Sequence, residues 1–384
     1  MSFTFSTTPT LRCGAGSIDD LETMAPGLLG KRVALVTDPG IVAAGLLERA
    51  LAPLARAGIE VSVFDAVVAD PPQEVVLSAV SSARAFGASG VIGFGGGSAM
   101  DVAKLVALLI SGEHPIESAF GVGNARGPRL PLVLIPTTAG TGSEVTPISI
   151  VTTGEHEKKG IVSPLLIPDA AILDAALTTG LPPHVSAATG VDAMVHAIEA
   201  YTSVNANNNP ISKSLAREAL RLLVANIERA VAHGSDLDAR QNMLIGACLA
   251  GQAFANSPVG AVHALAYPLG TRYKLPHGLT NALMLEAVMR FNMPAASSEY
   301  AELSVAAFPA RVADVCAHDA NRLIVDLKDL MQGLGLPSSL REVGVPAEDI
   351  ESLASDAMQQ TRLLVNNPRP LDLQDIENIY RAAW

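Results

Sequence analysis

Long hydrophobic runs are missing from this chain. No apolar stretch reaches the roughly 20 residues that cross a bilayer, so a membrane-spanning helix is not expected. Clusters of lysine and arginine are missing too. With 26 basic against 38 acidic residues the net charge is −12, and nucleic acid is excluded as an expected partner because its phosphates would meet no basic patch. Cysteine is scarce: Cys13, Cys248 and Cys316 are odd in number and scattered, which fits reduced thiols in the cytoplasm and not a disulfide framework. The opening MSFTFSTTPTLRCGAG has neither a basic segment nor an apolar core of the export-signal kind, so a cytoplasmic location is expected. Internal repeats and low-complexity tracts are absent as well. Charged residues make up only 17% against 49% apolar, a balance that favours a well-buried globular protein over disorder. At 384 residues the chain fits two domains.

What is present falls into two rhythms. Up to about residue 180, β-branched runs alternate with helical stretches. KRVALVTD, IEVSVFDAV, ASGVIGF, PLVLIPT and AAILD read as strands. IVAAGLLERALAPLARAG, PQEVVLSAVSSARAFG and AMDVAKLVALLIS read as helices, and VTPISIVTTGEHEKKGIVS as a hairpin turning near Gly154 and Glu155. Alternation of this kind predicts βαβ units and a parallel sheet covered by helices. After Leu181-Pro182-Pro183 the pattern is helical to the end, with Pro, Gly and Asn as punctuation. The expected organisation is therefore an α/β domain over 1–180 and an all-α domain over 181–384.

Two glycine-containing loops suggest a ligand for the first domain. VIGFGGGSAMDVAK sets Gly95, Gly96, Gly97 and Ser98 between a strand and a helix. Glycines there let a backbone approach a ligand, and the helix N-terminus offers free N–H groups to a pyrophosphate. The spacing is not GxGxxG, and a tight turn without a ligand explains this loop alone equally well. A second loop, IPTTAGTGSEVT, supplies Thr137, Thr138, Thr141, Ser143 and Thr146 after another strand, where hydroxyls and open amides suit ribose and phosphate. Asp38 ends the first βαβ strand. A carboxylate there accepts from a ribose 2′-hydroxyl and repels a 2′-phosphate, so NAD(H) is expected over NADP(H); an Asp-Pro-Gly turn also serves local geometry alone.

The second domain carries candidate metal ligands. Asp192 and His196 lie four apart in VDAMVHAIEAY, hence on one helix face. His263 lies in GAVHALAYPLG and His277 in LPHGLTNALML, after a proline and at an expected helix start. Their mostly apolar surroundings make an unpartnered carboxylate costly. Three imidazoles and one carboxylate suit Fe²⁺ or Zn²⁺ better than Mg²⁺ or Ca²⁺. A metal held this way acts as a Lewis acid on a substrate oxygen.

GGGSAMD, PTTAGTGSE, ATGVDAMVHAIEAY, GAVHALAYPLG and PHGLTNALML together make the chain resemble the iron-containing (group III) alcohol dehydrogenases along nearly its whole length. The resemblance implies a dinucleotide-binding α/β domain and a helical domain with the active site in the cleft between them. It implies metal binding, typically of Fe²⁺ and in some members Zn²⁺, by Asp192, His196, His263 and His277. It also implies an NAD(P) site lined by Asp38, Gly96, Gly97, Ser98, Thr137, Thr138, Thr141, Thr146 and Lys158, with Lys159 as the alternative register for the last. Homodimers or larger homo-oligomers are implied too. The chain departs from the common pattern at Tyr267, where many relatives have a histidine; a phenol is a poorer proton shuttle at neutral pH. Asp70 stands where relatives often have Asn, and Glu286 and Ala287 replace a frequent Pro-His.

The expected chemistry is hydride transfer between NAD(P)(H) and a small alcohol, aldehyde or ketone. One alternative is a metal- and NAD-dependent lyase or cyclase of the dehydroquinate synthase type, which needs a strongly basic substrate site. Lys and Arg residues near the ligand motifs are few, notably Arg272 and Lys274, and Arg290 lies further on. The other alternative, a non-catalytic nucleotide-binding regulator, leaves the four ligands unexplained.

Overall fold

A computed structural model describes residues 2–110, 114–154, 157–309 and 319–384. Cys316 and Glu155 lie outside the described residues. Backbone contacts divide the chain into two compact units, one of residues 6–180 and one of residues 181–384 together with the segment before Ser6. That short N-terminal segment belongs with the helices because the Thr4 backbone exchanges two hydrogen bonds with the Asn207 side chain, both 2.9 Å.

The α/β unit runs β1 (Thr10–Cys13), α1 (Leu21–Leu28), β2 (Arg32–Val36), α2 (Pro39–Ala43), α3 (Leu47–Arg56), β3 (Glu60–Phe64), α4 (Gln73–Phe86), β4 (Gly90–Gly95) and α5 (Gly97–Leu109). It continues with β5 (Gly121–Val122), β6 (Leu132–Pro136), β7 (Ile148–Thr153), β8 (Glu157–Val162) and β9 (Ala170–Leu173). Six strands form a sheet in the order β1-β9-β6-β4-β2-β3, every pairing parallel. Side chains of its central strands alternate between two cores. Ala34, Val36, Val91, Leu132 and Leu134 join α4 and α5 on one face, while Val33, Leu35, Ile92, Phe94, Val133 and Ile135 join α1 and α3 on the other. A sheet buried on both faces needs apolar residues at successive positions, as these strands have.

Three local expectations are revised. The single helix expected over 41–58 is two, α2 and α3, because Gly45 between them adopts φ 69°. The helix expected from Ala99 begins at Gly97, with Gly96 as its N-cap. Strand β1 has no counterpart among the strands expected from the sequence; all its residues are exposed, so no apolar alternation marks it. The hairpin is present as antiparallel β7–β8, with β5 added parallel to β8.

The helical unit comprises α6 (Pro183–Thr202), α7 (Pro210–Ala232), α8 (Leu237–Asn256), α9 (Ala261–Tyr273), α10 (His277–Ala307), α11 (Ala320–Gly333), α12 (Ile350–Met358), α13 (Thr361–Leu364) and α14 (Leu373–Ala383). From Gly190 to Thr202, α6 is buried on every side, packed by α7, α8 and α10. Its polar residues therefore sit in the core and must find partners there.

Candidate metal centre and nucleotide seat

Helix α6 presents Asp192, His196 and Glu199 at spacings of four and three, one face of a helix. His263 projects from the first turn of α9, and His277 is the first residue of α10. Gly278 permits the approach of α10 to α6: a Cβ there would collide with the Ala188 carbonyl oxygen and lie 3.3 Å from Asp192 Cβ. One donor atom each of Asp192, His196 and His263 falls within 4.8 Å of the others. Asp192 Oδ1 is 4.0 Å from His263 Nε2 and 3.8 Å from His277 Nε2. Donors about 2.1 Å from a shared cation lie roughly 3–4 Å apart, so the compact set of Asp192, His196 and His263 suits a divalent transition metal, and His277 approaches that set through Asp192 without joining the mutual cluster. His277 leaves 32% of its side chain exposed whereas Asp192 and His263 leave 3%; the accessible side of the cluster is the His277 side.

Partners outside the donor set hold it in shape. Glu199, itself buried, accepts the Val262 N–H at 2.7 Å and lies 2.6 Å from His263 Nδ1. A carboxylate at Nδ1 keeps the proton there and leaves the Nε2 lone pair directed at the cluster. The His196 ring is stacked between Phe254 at 4.4 Å and His263 at 4.6 Å. Asn281, one turn beyond His277, donates Nδ2 to Asp192 Oδ1 at 2.6 Å and lies 3.2 Å and 3.3 Å from Nε2 of His263 and His277. Burial pushes the Asp192 carboxyl up, but His196, His277, His263 and Asn281 pull it further down, and it ends below the ordinary aspartate value. Glu199 and Asn281 are additions to the residues singled out from sequence; each continues a ligand's helical spacing by one more turn, a pattern too common on helices to mark it. The Tyr267 ring lies 5.7 Å from that of His277.

In the α/β unit the candidate nucleotide residues gather at a switch point. β2 leads on to β3 on one side and its neighbour β4 leads on toward β6 on the other, so the connections leave the carboxyl ends of these two adjacent strands in opposite directions, the place where open α/β sheets bind ligands. Asp38 follows β2, Gly95 ends β4, and Gly96 stands at the N-cap of α5. Gly95 has φ 151°, and a Cβ on it would lie 2.9 Å from Asp38 Oδ2. Asp38 also caps α2, its Oδ1 accepting the Gly40 and Ile41 N–H groups at 2.9 and 3.1 Å. No side chain caps the first turn of α5 among the described residues, which leaves its N–H groups for an anion. Gly96, Gly97 and Ser98 are half-buried, as are Thr138 and Thr141.

The remaining candidates are engaged within the unit. Thr137 donates its N–H to the Gly95 carbonyl at 3.0 Å. Thr146 is 2% exposed, with its hydroxyl accepting from Lys104 Nζ at 3.1 Å. Lys158 pairs with Asp70 at 2.7 Å; Asp70 has φ 49°, a left-handed conformation that Asp and Asn tolerate.

Comparison with known proteins bears on both halves. The family model described as "Iron-containing alcohol dehydrogenase" matches residues 8–175, and that described as "Fe-containing alcohol dehydrogenase family, C-terminal" matches 186–384. The long-chain-alcohol dehydrogenase 1 of Geobacillus thermodenitrificans strain NG80-2 is 40% identical over 381 residues, covering 98% of this chain and 95% of its own length. A crystal structure of 1,3-propanediol oxidoreductase superposes with TM-score 0.95 at 33% identity, covering both chains fully. The sulfoacetaldehyde reductase of Bifidobacterium kashiwanohense, crystallised in complex with NAD⁺, superposes with TM-score 0.88 at 28% identity over 100% of this chain and 99% of that one. With both halves matched by its models, this chain belongs to the iron-containing alcohol dehydrogenase family.

Proposed function

We propose that this oxidoreductase interconverts a small alcohol and its aldehyde or ketone using NAD(H), with one Fe²⁺ or Zn²⁺ held by Asp192, His196, His263 and His277. The observation that carries it is the convergence of Asp192, His196 and His263 in one buried cluster, with His277 Nε2 3.8 Å from Asp192 Oδ1 at its accessible edge. Such a cation, when bound, supplies Lewis acidity that acidifies a hydroxyl or polarises a carbonyl. The chain's own residues do the rest. Glu199 keeps the proton on His263 Nδ1. The apolar walls of α6 and α9 exclude water from the buried side, and the exposed edge of His277 leaves room for an alcohol. Gly96, Gly97 and Ser98 present N–H groups to a pyrophosphate, and Asp38 offers Oδ2 to the adenine ribose, which favours NAD(H).

The names of the relatives span a long-chain alcohol, a diol and a sulfonated aldehyde. Chemistry shared by such different substrates belongs to the hydroxyl or carbonyl and not to the rest of the molecule. The cyclase alternative loses ground because two of the three nearby cations are already paired. Arg272 is bound to Ser352 and Asp356, and Arg290 to Glu286. A screen of primary and secondary alcohols for NADH formation tests the proposal. Metal-dependent NADH accumulation is expected; turnover of a substrate without net NADH would favour the cyclase.

A further inference from the structure

Lys104 lies on α5, two turns from the glycines, with none of its surface exposed. An ammonium in that position is costly unless charge and hydrogen bonds compensate it. Its three protons have three acceptors: Ser143 Oγ at 2.8 Å, Thr146 Oγ1 at 3.1 Å and the Ile148 carbonyl at 2.6 Å. Asp101, one turn earlier, lies 3.7 Å from Nζ. Asp101 in turn accepts the Ser143 hydroxyl at 2.6 Å and the Ile150 N–H at 2.9 Å, and its carbonyl accepts from Ser149 at 3.1 Å. Burial pulls Lys104 down to about 8, and it pushes the neighbouring Glu144 carboxyl up to about 7.

All these bonds run to one segment, 143–150. An apolar side chain could fill the same space, yet it could not fix the segment in register. The segment continues directly from the threonine loop, and Lys104 shares its helix with the glycine turn. The two loops already touch: a Cβ on Gly97 would lie 2.8 Å from Thr141 Cγ2. A small slip of 143–150 along α5 would therefore change the distance between the glycine turn and the threonine hydroxyls.

We propose that Lys104, with Asp101, is a positioning residue for the dinucleotide: it locks segment 143–150 to α5 and so holds the threonine loop at a fixed spacing from the glycine turn. This rests on the assignment of those loops as the nucleotide seat. The test is Lys104→Met, with NADH affinity read by fluorescence titration beside steady-state kinetics and metal content. Misplacement of a binding group by about 1 Å costs up to roughly 100-fold, so the Kd for NADH and the KM for NAD⁺ are expected to rise about tenfold or more. The kcat at saturating coenzyme, the KM for alcohol and the metal content are expected to stay at wild-type values. A lower melting temperature with unchanged NADH affinity would overturn the proposal, since the lysine would then only stabilise the fold. If that variant does not fold, Ser143→Ala, which removes the hydroxyl shared by Lys104 and Asp101, should weaken NADH in the same direction; unchanged affinity there overturns it equally. A wild-type protein that binds no NADH would instead overturn the nucleotide seat itself, and the clamp with it.

Discussion

Replacing Glu199 by glutamine tests a residue that holds a metal-ligand candidate from behind without belonging to the ligand set. Glu199 offers two oxygens to two buried donors, Val262 N–H at 2.7 Å and His263 Nδ1 at 2.6 Å. Glutamine keeps the shape but has one acceptor oxygen for those two donors, and it removes the charge that fixes the His263 proton. Loss of an outer partner of this kind costs about 10–100-fold in metal affinity, or about 1.4–2.7 kcal/mol. Alanine goes further, leaving two donors buried without an acceptor at about 1–3 kcal/mol each, so it should also lower the melting temperature of the metal-free protein. Chelator competition with Zn²⁺ or Co²⁺ measures the affinity, and thermal melts of the metal-free variants separate the stability term. A Glu199→Gln protein that binds metal within about twofold of wild type would refute the idea that this carboxylate orients His263.

Other expectations follow from particular contacts. Gly278→Ala places a methyl on the Ala188 carbonyl; overpacking costs about 1–3 kcal/mol, so thermal melts should show a loss of stability, and metal titration a weaker site as His277 is pushed from Asp192. Asp38→Asn keeps the cap on α2, because asparagine caps as well as aspartate, but removes the charge. The ratio of NADP(H) to NAD(H) turnover should rise roughly tenfold, about 1.4 kcal/mol, and an unchanged ratio would remove Asp38 from coenzyme choice. Glu144 holds its proton in the folded state up to about 7 against an ordinary 4.5. Its contribution to stability is thus complete below 4.5 and is lost as pH rises through about 7; Glu144→Gln should flatten that decline in urea titrations across the window.

Much of the fold is legible because strands buried on both faces, such as Val91–Phe94 and Leu132–Ile135, cannot be written without continuous apolar runs. Strand β1 was invisible for the opposite reason, since an exposed edge needs no pattern. Gly45 broke an expected helix because a single positive φ outweighs a favourable periodicity on either side. In the helical unit, Asp192 and His196 stand out through their spacing in an apolar run. Glu199 and Asn281 do not, because a lone Glu or Asn on a helix has the same appearance whether it faces solvent or a buried imidazole. Lys104 was hidden in the same way: in AMDVAKLVALL it reads as a surface lysine, and only the packing of 143–150 over α5 removes it from water.

The most direct test of the account is the metal itself, counted per chain by elemental analysis and located by anomalous diffraction. Wild-type protein reconstituted with Fe²⁺ or Zn²⁺ should hold one ion between Asp192, His196, His263 and His277. His263→Ala and Asp192→Ala should lose both the ion and NAD-linked turnover while still binding NADH. An ion located elsewhere, or full metal content and turnover in both variants, would contradict it.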